Sequence, residues 1–237
     1  MILRRITKHV KDQNWFAVAL DFFIVVVGIL IAFQITNWNE GRVNKINEGK
    51  LIQRLETEFI AHEKLLAIRV ERARDLAIRS GKLSALIRAG QEPDNEDYVK
   101  GLIWASISTT FGEAPPITYS ELVASGKLSE LSDAQLRSAL YNYGRVNAKW
   151  ERGDRTAYAI TNEHSQFRKY LHIVVPPPSE EPVDATTIIR SYDWEKLKQA
   201  EVSVSTIEQY QWNQFLFHSD DLKAVRNILA ELKRVKQ

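Results

Sequence analysis

The run from Phe16 to Ile35 limits what this chain can become more than any other feature. It reads Phe-Ala-Val-Ala-Leu-Asp-Phe-Phe-Ile-Val-Val-Val-Gly-Ile-Leu-Ile-Ala-Phe-Gln-Ile, with only Asp21 and Gln34 strongly polar. About 20 residues at ~1.5 Å each reach about 30 Å, the thickness of a bilayer's hydrocarbon core. Trp15 and Trp38 bracket the run, where amphipathic indoles favour the membrane–water boundary. A core helix in a domain of this size is seldom apolar on every side. A signal peptide has a shorter apolar region followed by small residues at its cleavage site. Here Thr36-Asn-Trp-Asn-Glu40 follows, and the segment is predicted to be an uncleaved transmembrane helix.

Charge predicts its orientation. Arg4, Arg5, Lys8 and Lys11 precede the helix against Asp12 and Asp21. Taking those four and two from the chain's 32 basic and 30 acidic residues leaves 28 of each from residue 40 onward. The excess positive charge therefore sits in the tail 1–15, and basic residues stay on the cytoplasmic side. Residues 36–237 are expected outside the cytoplasm, in the periplasm if the cell is a diderm bacterium and the membrane its inner one. A neutral domain offers no general attraction to polyanions, so no nucleic acid partner is expected. The mean hydropathy of −0.29 is too polar for several spans. The chain has no cysteine, which excludes disulfides, thiolate metal sites and cysteine nucleophiles.

Beyond the membrane the periodicity is helical. Leu51, Leu55, Phe59, His62, Leu66, Val70, Ala73, Ala77, Leu83 and Ile87 recur at helical spacings, predicting one long helix over 44–89. It is read as packing within its own domain, with some stalk character near the membrane. A break at Gln91-Glu-Pro-Asp94 precedes a helical core over 94–172. Asp94 is expected to cap its first helix; Thr118 with Glu121, and Ser132 with Gln135, are expected to form capping boxes. The segment from Asp133 to about Leu171 reads as a second long helix, with Leu136, Leu140, Tyr143 and Val146 on one side and Gly144 and Gly153 weakening it. Pro176 to Pro182 is the clearest loop. Over 192–235 three pieces are expected: Tyr192–Ala200, Thr206–Phe217, and a last helix capped by Ser219. No run alternates well enough to predict a strand. The fold class is all-α: a transmembrane helix, then a helical domain with two long helices.

Two blocks carry a resemblance. Val27-Gly-Ile-Leu-Ile-Ala-Phe-Gln-Ile-Thr-Asn-Trp-Asn-Glu40 and Thr118-Tyr-Ser-Glu-Leu-Val-Ala-Ser-Gly-Lys-Leu128 are similar to recurrent segments of a family of uncharacterised bacterial single-pass membrane proteins with a domain of unknown function. The resemblance implies one anchor and a helical extracytoplasmic domain. It also implies an acidic residue near the start of the membrane helix, the place Asp21 occupies. It implies no activity, substrate or catalytic residue.

The residues singled out lie mostly in the anchor. Asp21 is a carboxylate in a membrane helix, where a charge at the centre costs roughly 2.5–3.5 kcal/mol on insertion scales. It lies near the cytoplasmic boundary, where it can pair with Lys11, or it serves a partner or a proton path. That second role matches, in layout only, the subunits of proton-driven stator complexes. Gly28 and Ala32 form a small-xxx-small pair that lets helices approach closely; such residues also face lipid. Gln34, Asn37, Trp38, Asn39 and Glu40 form a polar collar at the outer boundary, an interfacial belt or a docking ring. His9, His62, His164, His172 and His218 show no metal-ligand spacing, and solvated helix surface is expected for Glu163-His164. Tyr119, Trp104, Trp150, Tyr141 and Tyr143 are expected in the core. Asp220-Asp221 reads as a helix start.

No phosphate loop, GxSxG or GxGxxG occurs, and no cofactor or metal is expected. The first expectation is a non-enzymatic, membrane-anchored protein that binds or scaffolds an envelope component, as a homo-oligomer or with a membrane partner. The second is an accessory subunit of a transport or ion-driven complex using Asp21. The third is an enzyme with an unrecognised site.

Overall fold

The computed structural model describes residues 15–163, 165–174 and 185–237. The basic tail except Trp15, His164 and the loop 176–182 lie outside the described residues. The fold is all-α with a small β-ribbon. In order it comprises α1 (Trp15–Ala89), α2 (Glu96–Ile107), α3 (Ile117–Ala124), a 3-10 turn (Lys127–Glu130), α4 (Ala134–Glu163), a second 3-10 stretch (Ser165–Tyr170), β1 (Leu171–Ile173), α5 (Ala185–Ile188), β2 (Ile189–Tyr192), α6 (Trp194–Gln199) and α7 (Glu201–Val235). The chain divides into two units, Met1–Ile52 and Gln53–Gln237, and α1 contributes to both.

Several helix boundaries differ from expectation for local reasons. The predicted membrane helix and the helix over 44–89 are one element of 75 residues, with no proline to interrupt it. It ends where expected. Gly90 adopts φ +69°; its N–H bonds Ile87 O and that of Gln91 bonds Leu86 O, the Schellman closure that favours glycine. The two long helices expected are joined by a third, α7, at 35 residues. Ser219 does not cap: its hydroxyl donates to Phe215 O within the helix. Asp220 and Asp221 are accordingly not a helix start.

Other caps are displaced by one residue or supplied from elsewhere. Asn95, not Asp94, accepts the Tyr98 N–H at 3.0 Å. Asp133, not Ser132, accepts the Leu136 N–H at 2.8 Å. The Thr118–Glu121 box does not form. The Glu58 carboxylate of α1 instead accepts both the Thr118 N–H at 2.8 Å and the Thr118 hydroxyl at 2.6 Å, while Glu121 pairs with Arg54. A carboxylate beside the first N–H groups of α3 also suits the helix dipole.

The ribbon was not expected. β1 and β2 pair antiparallel, Leu171 with Tyr192 and His172 with Ser191, with an irregularity before Ile173 pairs with Ile189. Strands this short give no alternation long enough to read.

In residues 53–237 the predicted stripe of α1 is the core: Leu55, Phe59, Leu66, Ala73, Ala77, Leu83 and Ile87 are buried, and Val70 is half-buried. α4 presents Leu136, Leu140 and Tyr143 to it. α7 runs antiparallel to α4, with Arg234 on Asp133 at one end and Phe217 against Gly153 farther along. Ion pairs Arg226–Glu63 and Lys236–Glu56 fasten α7 to α1. Such surface pairs contribute at most about 1 kcal/mol each, so they set register more than stability. A second apolar layer joins Leu83, Ile87, Leu102, Ile103, Phe167, Ile189, Trp194, Leu197 and Ile207. It seats the ribbon and α6 against α2.

Candidate functional site

Residues 15–52 form the first candidate. The helix contains an 18-residue window of mean hydropathy 2.3, none of it buried, so one described helix is long and apolar enough to cross a membrane. Phe16 is 77% exposed and Trp38 69%. Asp21, Gly28, Ala32, Gln34, Asn37, Trp38, Asn39 and Glu40 are all exposed on this helix. A side chain at Gly28 would meet nothing within 4 Å, so the notch is open. Thr36 folds its hydroxyl back onto Ala32 O at 3.0 Å, which satisfies that polar group without solvent.

Residues 53–237 hold the second. Its centre is aromatic and polar together. The rings of Phe59, Tyr119 and Tyr143 meet edge to face at centroid distances of 5.0–6.3 Å. The Tyr143 hydroxyl lies 3.0 Å from His62 Nε2. Burial pushes the Tyr143 phenol well above its ordinary value, with the nearby Asp221 charge adding to it. Burial also lowers the His62 pKa, opposed by the charge of Glu113, which Arg69 pairs. His62 is thus held neutral and partnered.

The buried side of α7 continues the polar theme. Gln211 donates to Ala105 O at 3.3 Å and Ser108 O at 2.7 Å, holding the end of α2. His218 Nε2 and Thr110 Oγ1 are 3.0 Å apart. Gln214 and Asp221 are buried in the same stripe. Burial raises the Asp221 carboxyl to about 6. Among the described residues no group of three or more histidine, cysteine or carboxylate side chains is placed to hold a metal ion.

Some expected placements hold and others change. His62 is buried on the stripe where the periodicity places it, and His218 is buried on α7; each has a hydrogen-bonding partner in the core. His172 is exposed; His9 and His164 lie outside the described residues. Tyr119 and Tyr143 enter the core and Trp104 packs at its edge. Tyr141 is 55% exposed, because it lies on the outer face of α4 two residues from Tyr143. Nothing is described of the Trp150 side chain. Asp221 is the residue the sequence reading missed. The signal was its spacing: Val204, Ile207, Gln211, Gln214, His218, Asp221, Val225, Ile228 and Leu232 follow one another by threes and fours, and all nine are buried.

No family model, curated protein or solved structure matches the chain.

Proposed function

We propose that this chain is a membrane-anchored protein whose helical domain binds or scaffolds another envelope component, without catalysis of its own. The observation that carries it is the exposed apolar window of α1, which requires a lipid or protein covering. The basic residues before it favour an N-terminus in the cytoplasm and a domain outside, at the inner membrane of a bacterium. The two blocks around Val27–Glu40 and Thr118–Leu128, similar to a family of single-pass bacterial membrane proteins, support the same layout.

A binding surface is available on residues 53–237. The loop between α2 and α3 and the start of α3 are held by α1, Arg69 donating to Phe111 O and Glu58 accepting from Thr118. Phe111 on that loop and Ile117 at the start of α3 are exposed, as are Leu65 and Ile68 on the α1 stretch between Glu58 and Arg69. Exposed apolar groups concentrated in this way mark interaction surfaces more often than chance scatter does.

Purification from membranes in mild detergent tests the reading. It expects a second copy or a second membrane protein to travel with the chain. Recovery as a lone monomer would count against it. Asp21 supports the other role, an accessory subunit of an ion-driven complex. In that role Asp21→Asn keeps the complex intact but abolishes its function; in the scaffold role the substitution leaves both in place.

A further inference from the structure

Asp221 has no evident business inside the domain. It sits on the inward stripe of α7, 5% exposed, and its Oδ1 has no hydrogen-bond partner among the described residues. The polar groups around it are already engaged with others. From α4 it faces Tyr143, whose hydroxyl is committed to His62 of α1. Tyr119 of α3 closes on Tyr143 from the other side. On α7 itself His218 lies one turn back, its Nε2 on Thr110, and Asp220 points to solvent. Charged groups of the neighbouring segments are paired with one another: Glu113 with Arg69, and Glu63 with Arg226. No described cation balances a charge at Asp221.

The two protonation states are therefore unequal in this site. A carboxylic acid is a small polar group with one O–H to donate, which an oxygen already serving another bond can still accept. A carboxylate here is a buried charge with an oxygen that receives no hydrogen bond, and such a group is unfavourable by several kcal/mol unless paired. Once the proton is released, the chain relieves the resulting charge by letting water in. Water reaches Asp221 only if α7 lifts from α1 and α4.

We propose that Asp221 is a proton-operated latch: protonated, it seats the C-terminal half of α7 in the core; ionised, it loosens that half. Ala224, Val225, Ile228 and Leu232 lie beyond Asp221 on the buried side of α7, so this layer opens first. The latch is built entirely within residues 53–237 and holds whether or not the membrane reading does. Mildly acidic conditions close it and neutral conditions open it. A histidine latch would run the other way, because histidine gains its charge as pH falls.

Hydrogen exchange of the full chain in detergent tests the proposal, at about pH 5 and about pH 7.5 with intrinsic rates corrected. Amides over 218–232 are expected to exchange about tenfold or more faster at the higher pH. Amides of α2 serve as reference and are expected to keep their protection. In Asp221→Asn the pH difference over 218–232 disappears. Equal protection at both pH values in the wild type would overturn the latch. So would a difference of opposite sign, or an undiminished difference in Asp221→Asn. If the variant does not fold, the sign and location of the wild-type difference still decide.

Discussion

At the scale of single residues, the described interior sets hydrogen-bonded polar side chains beside Asp221, an ionisable one whose Oδ1 has no partner. His62 bonds Tyr143, His218 bonds Thr110, and the Gln211 amide nitrogen bonds two carbonyls. Each would be unfavourable by about 1–3 kcal/mol if one member were removed. Asp221 differs in that its stable form is the protonated one. Its folded value of about 6 lies above the ordinary 3.8, so the folded state holds the proton more tightly than the unfolded one. The stability this contributes is complete below about pH 4 and is lost as pH rises through about 6. Urea unfolding of wild type and Asp221→Asn across this range checks the sign. The variant's advantage is expected to grow with pH and level off about 3 kcal/mol above its acid value. A pH-independent difference would refute this account. His62 shifts the other way: with its folded value lowered, its contribution is lost as pH falls below 6.5.

At the scale of elements, helices approach through missing side chains and borrowed caps. Gly144 faces the hydroxyl of Tyr119, which a Cβ there would strike, whereas the next atom, Cζ, would lie at an ordinary 3.6 Å. Alanine is the better helix former by about 1 kcal/mol, so propensity alone favours Gly144→Ala. Packing reverses the sign: the substitution is expected to destabilise by about 1–3 kcal/mol. Adding Tyr119→Phe removes the struck atom and is expected to restore most of the loss. Thermal or urea unfolding of the four proteins in this cycle gives the coupling directly. Additive effects would show that the contact is not the cause. α3 shows the same dependence on its neighbour, since Glu58 of α1 supplies its N-terminal acceptor.

At the scale of the whole chain, the division falls at Ile52. Residues 53–237 contain the apolar layers on α1, α2, α4, α6 and α7, together with the ion pairs that fasten α7 to α1. A chain starting at Gln53 is therefore expected to be soluble, helical and cooperatively folded. The full chain is expected in the membrane fraction. Sedimentation of lysates and circular dichroism of the shortened protein check both expectations. Aggregation of the shortened chain, or its persistence in membranes, would mean that the apolar covering extends beyond residue 52.

The sequence by itself determined the features that depend on near neighbours along the chain. These are the apolar run at Phe16–Ile35, the helical stripe from Leu55 to Ile87, the helix end at Gly90, and Leu136, Leu140 and Tyr143 on one side of α4. Each follows from a period or from a residue's own conformational preference, which needs no distant partner. Only the tertiary structure decided where polar residues went. Gln211, Gln214, His218 and Asp221 interrupt the apolar pattern of α7, and read locally they divide it at Ser219. Yet their spacing is the core spacing, and α1, α2 and α4 supply the surfaces that bury them. The acceptor that caps α3 lies 60 residues upstream of Thr118, and the ribbon pairs strands across the segment between Ile173 and Ile189. Hydrogen bonds and burial between distant segments leave little trace in local periodicity. The predicted anchor was legible for the same reason that the buried carboxylate was not: lipid selects a continuous run, whereas a core selects one position at a time.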